Sequence, residues 1–153
     1  MMLYDDPTTR RPTVIAIPCT YYRIKIDAIG GNFTGCRGRI LSIARGGSPV
    51  FSGEIATLPF AQAENPDAIS KTIQPGAPEY LDLLAITNEN KVTLALHKFT
   101  GSNSIDWNSM FAYAGDYIFE IVVLSTDPAP LPIKLLFRWT LNRVSSEFVC
   151  PIS

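Results

Sequence analysis

Few side chains in this chain of 153 residues are equipped for chemistry, and their spacing says more than their number. There is one histidine, His97, and there are three cysteines, Cys19, Cys36 and Cys150. A Ser-His-Asp or Cys-His relay would have to run through His97. That residue stands beside Lys98 at the end of an alternating apolar stretch, with no nucleophile motif around it. The setting fits a surface or internally satisfied histidine whose removal leaves fold and function unchanged. An odd cysteine count without a Cys-x-x-Cys pair argues against a disulfide framework or a zinc knuckle. The three are expected as free thiols, Cys36 buried as a small apolar residue. Neither a metal nor a cofactor is expected.

Asp82, Asp106, Asp116 and Glu120 are the carboxylates that could pair as the acid and base of a hydrolase. Asp106 and Asp116 each precede an aromatic residue and read more simply as turn residues. Arg37 and Arg39, two apart in an alternating stretch, share one face. They could grip a phosphate, a carboxylate or an acidic patch, and Arg23 and Lys25 on the neighbouring strand would enlarge that basic surface. The plainer use is a solvated face that discourages aggregation. The connection from 100 to 114 packs Ile105, Trp107, Met110, Phe111 and Tyr113 into nine residues, longer and more apolar than most loops. Its apolar residues either fold inward on a short helical turn and plug the core, or stay exposed to bind a protein or a sugar ring. The candidate binding residues are therefore Trp107, Ile105, Met110, Phe111, Arg37 and Arg39.

The elements that must position these residues are strands. From Gly115 to Leu124 and from Ile133 to Trp139 the chain alternates, placing Tyr117, Phe119 and Ile121 in one row and Leu135, Phe137 and Trp139 in another. Thr13–Ile17 reads as an edge strand stopped by Pro18, and Tyr22–Ala28 alternates with Tyr22, Ile24, Ile26 and Ala28 inward. Cys36–Ile43 continues the pattern but slips at Ile40-Leu41, the mark of a bulge. Val50–Leu58 is a short irregular strand, and Pro75-Gly76 a turn after Thr72-Ile73. Tyr80–Ile86, with Leu81, Leu83 and Ala85 on one side, and Val92–Leu96 complete the set. The division is a flexible N-terminus over 1–12, a sandwich over 13–141 and an irregular tail over 142–153. About seven to eight strands with regular turn signals predict an all-β, antiparallel, immunoglobulin-like sandwich. In such sandwiches a tyrosine near the start of the sixth strand bonds back to the preceding corner, a part that Tyr117 fits.

Thirteen basic against fourteen acidic side chains leave no surplus for nucleic acid phosphates. No apolar run approaches the ~18 residues of a membrane span. Met1–Asp6 lacks the pattern of a signal peptide, which gives a cytoplasmic expectation. Asn32-Phe33-Thr34 and Cys150-Pro151-Ile152-Ser153 match glycosylation and prenylation patterns in form only.

Cys36-Arg37-Gly38, Ile73-Gln74-Pro75-Gly76, Tyr80-Leu81-Asp82-Leu83, Gly115-Asp116-Tyr117-Ile118-Phe119 and the closing Trp139 resemble a bacterial family of uncharacterised immunoglobulin-like domains. The resemblance runs over roughly residues 20 to 140. It implies the fold and a place often C-terminal to membrane helices, and it brings no catalytic residues. The expected function is a non-enzymatic interaction or accessory module with a protein partner and, through an edge strand, a possible homo-oligomer. The alternatives are a small-ligand or carbohydrate-binding sandwich that uses the loop aromatics and, second, a hydrolase with a carboxylate pair.

Overall fold

The computed structural model describes residues 2–5, 12–15, 19–61, 70–95, 107–126 and 130–149, with side chains omitted at 2–5, 12–15, 52–56, 107 and 108. The fold is all-β, with antiparallel sheets in two layers. Among the described residues eleven strands run β1 Met2–Asp5, β2 Pro12–Ile15, β3 Cys19–Ile26, β4 Phe33–Arg45, β5 Ser48–Leu58, β6 Lys71–Ile73, β7 Glu79–Thr87, β8 Val92–Leu94, β9 Gly115–Leu124, β10 Leu131–Trp139 and β11 Glu147–Val149. A single helical turn, α1, spans Trp107–Met110. The larger sheet has the order β11-β10-β9-β4-β5, with β6 paired to β4, and the smaller has the order β3-β7-β8. β1 and β2 form a separate pair.

The organising pair is β9 and β10, in register from Leu131 opposite Val123 to Trp139 opposite Gly115. Alternation buries Tyr117, Phe119, Ile121, Leu135, Phe137 and Trp139 together, in one core with Leu81, Leu84 and Ile86 of the facing sheet. Gly38 in β4 lies under Leu81, and a Cβ at that position would collide with the Leu81 Cδ1 atom. The sheets meet closely there, which is why position 38 has no room for a side chain.

One end of the core is closed by the segment from α1 to β9. Met110 and Phe111 are buried, and the Trp139 indole N–H donates to the Phe111 carbonyl at 2.9 Å. The Tyr117 hydroxyl donates to the carbonyl of Tyr113 at 2.7 Å, with the Met110 carbonyl 3.2 Å away.

The expected slip at Ile40-Leu41 is present, as a shift of register between Ile40 and Ser42 against both neighbouring strands. Four sequence expectations change. In β7 a bulge falls at Leu83, because Tyr22 pairs with Leu84 and Arg23 with Asp82. The bulge reverses the parity of the strand, so Leu84 and Ile86 turn inward where Ala85 was expected. Met2–Asp5, expected to fray, is a strand paired with β2. The tail supplies β11, paired to β10 through Phe148 opposite Phe137. Arg23 and Lys25 belong to the other sheet from Arg37 and Arg39, so the four do not form one basic surface.

Candidate functional site

β3 is an edge strand, with β7 on one side and no strand on the other among the described residues. Where β3 lies over β10, the two layers part. Tyr22 bridges them at one end, with its ring 5.1 Å from that of Phe148 and its hydroxyl donating to the Ser146 carbonyl at 3.2 Å. Beyond this bridge a cleft opens, lined by Ile24 of β3 and Ile133 of β10. One part, of about 660 Å³, is floored by Tyr22, Ile24, Leu83, Ile133, Leu135 and Phe148. A second part, of about 370 Å³, continues past Ile26, Phe33, Val123 and Leu131 and shares Ile24, Lys25 and Ile133 with the first.

The alternation of β3 explains the lining. Tyr22, Ile24 and Ile26 turn to the cleft, while Arg23 and Lys25 turn outward, paired to Asp82 at 2.6 Å and Asp27 at 3.4 Å. The rim is thus charged and the floor apolar. Burial pushes the Cys36 thiol, at the inner end of the second part, above its ordinary range. Sequence reasoning missed this cleft. Its walls come from β3, β10 and β11, which are far apart along the chain, and each wall alone reads as ordinary core. The one visible hint was the apolar pair Phe148-Val149 in a tail with no period.

The residues singled out by sequence are scattered. Ile105, Asp106, His97 and Cys150 lie outside the described residues, as does the side chain of Trp107. Met110 and Phe111 take the inward option and plug the core. Arg37 and Arg39 project from the outer face of β4, opposite Leu124 and Val122 of β9. Asp82 is held by Arg23, Asp116 by Arg138 at 4.0 Å, and Glu120 by Lys134 at 3.2 Å. Asp116 and Glu120, four residues apart on β9, are separated by about 13 Å of strand, beyond the roughly 5–10 Å that glycosidic carboxylate pairs use. Asp82 is on the other sheet. No group of three or more potential metal ligands forms among the described residues. No helix among them is long and apolar enough to cross a membrane.

Comparison with family models, with curated proteins and with solved structures found no match to this chain.

Proposed function

We propose that this chain is an immunoglobulin-like β-sandwich that works as a non-enzymatic interaction module, and that it binds an extended segment of a partner protein in the cleft beside β3. The order β10-β9-β4-β5 facing β3-β7 supports the immunoglobulin-like reading, as does the bond from Tyr117 back to its corner. The resemblance carried by Gly115-Asp116-Tyr117 points the same way.

One observation carries the function: the edge of β3 that no described strand pairs with runs along an apolar cleft. The edge offers main-chain N–H and C=O groups, which only a ligand with a matching backbone satisfies fully. The floor offers apolar recesses for side chains at alternate positions. Together they fit strand addition by a peptide with apolar residues two apart. A lipid would leave the edge groups to water, and the hydroxyls of a sugar do not repeat at the spacing of a strand.

The test is selection from a random peptide library displayed on phage. Peptides with alternating apolar residues should be enriched, and Ile133→Glu should abolish their binding while the protein stays folded. Enrichment of peptides that bind Ile133→Glu equally well, or no enrichment at all, removes this reading.

A further inference from the structure

We propose that Arg37 and Arg39 form a binding site for a phosphate-class dianion on the outer face of the larger sheet, independent of whatever the cleft holds. The strand fixes their direction. Cys36 and Ile40 are fully buried and Gly38 is pressed against Leu81, so alternation leaves Arg37 and Arg39 only the outward face. Residues two apart on a strand stand roughly 7 Å apart. Two guanidinium forks at that separation can close on one tetrahedral oxyanion from both sides.

The charge around them is unbalanced. Every carboxylate whose side chain is described is already ion-paired with a lysine or another arginine. Neither Arg37 nor Arg39 has a counter-ion among the described residues. The carboxylate nearest in register, Glu120, takes Lys134 on one oxygen and the Ser42 hydroxyl on the other. The Nε atom of Arg39 is enclosed and has no acceptor. An enclosed N–H without an acceptor is unfavourable, and an oxyanion on this face would satisfy it once the guanidinium turns toward solvent. Val122 and Leu124 stand opposite the two arginines on β9 and Thr57 beside Arg39 on β5, so the site has a weakly hydrated floor that strengthens charge recognition. Two positive charges favour a dianion over a single carboxylate.

The experiment follows the Arg Nε–H signals by NMR at low salt while inorganic phosphate is added, with acetate as a comparison at equal ionic strength. The Arg39 signal should move to saturation with phosphate and respond far less to acetate. Arg37→Ala and Arg39→Ala should each weaken phosphate binding by about tenfold or more, as loss of a charge-assisted pair implies. Arg39→Lys, which keeps the charge and loses the fork, should also weaken it. Arg143→Ala, on a distant loop, should leave it unchanged. An Arg39 signal that does not saturate, equal binding of acetate, or equal effects of Arg143→Ala and Arg39→Ala each overturn the site. Melting curves of each variant confirm that the fold survives.

Discussion

The hydroxyl of Tyr117 donates to the carbonyl of Tyr113, four residues earlier, at 2.7 Å. One hydroxyl hydrogen serves one acceptor at a time, and the Met110 carbonyl at 3.2 Å is the weaker partner. The bond pins the corner that brings Phe111 into the core, where its ring centroid is 5.0 Å from that of Tyr117. Tyr117→Phe keeps the ring and removes only the donor. It should cost about 1 kcal/mol, because the part-buried Tyr113 carbonyl loses its partner. Urea denaturation should show a lower midpoint with an unchanged slope. An unchanged midpoint would mean that the corner is held by packing alone.

Gly38 and Leu81 make a sharper test of how the layers meet. Gly38→Ala should cost about 1–3 kcal/mol, since the new methyl must displace the Leu81 side chain. Leu81→Ala alone should cost about 2–5 kcal/mol through its cavity. In the double variant the methyl enters that space, so the losses should fall short of additivity by about 0.5 kcal/mol or more. Strict additivity would show that the two residues do not touch.

Much of the architecture was legible in the sequence, for a physical reason. Tyr117, Phe119, Ile121, Leu135, Phe137 and Trp139 alternate without interruption, and a strand with one buried face has no other register open to it. Gly76 and Gly115 take positive φ values where turn and strand start were expected. What failed was parity at Leu83, where the run Leu83-Leu84-Ala85-Ile86 is apolar throughout and hides the bulge, unlike the one at Ile40-Leu41. β11 failed similarly: three residues carry too little period to declare a strand. The cleft was illegible because Ile24 and Ile133 each read as core. Whether they meet a neighbour depends on how far two sheets diverge.

Phe148 shows what the tail does. Its ring lies 4.7 Å from Phe137 and 5.5 Å from Phe119. Phe148→Ala should destabilise the protein by about 2 kcal/mol, less than the 3–5 kcal/mol of a fully enclosed phenylalanine. It should also widen the cleft, seen as increased binding of an apolar fluorescent dye. No loss of stability would mean that β11 does not stay paired to β10 in solution.

Cys36 gives a pH dependence with a definite sign. Burial raises its thiol above the ordinary range in the folded state. The stability it contributes is complete below the unfolded value of about 8.5 and is lost as pH rises through the higher folded value. Stability should therefore fall with alkaline pH in this window, and less so in Cys36→Ala. In native protein at pH 8, Cys36 should react with a thiol reagent much more slowly than Cys19, while denatured protein should show all three thiols. Rapid modification of Cys36 in the native state would contradict its burial.

Strand addition at β3 makes one demand that no other binding mode makes, namely new main-chain hydrogen bonds on a defined edge. Amide hydrogen exchange reads it directly. In the free protein, the β3 amides that do not bond to β7 should exchange quickly, while those that do are protected. With a selected peptide bound, the fast set between Cys19 and Ile26 should become protected by about tenfold or more, since stable strand pairing closes each amide. Unchanged β3 amides, with protection appearing elsewhere on the sandwich, would contradict the account.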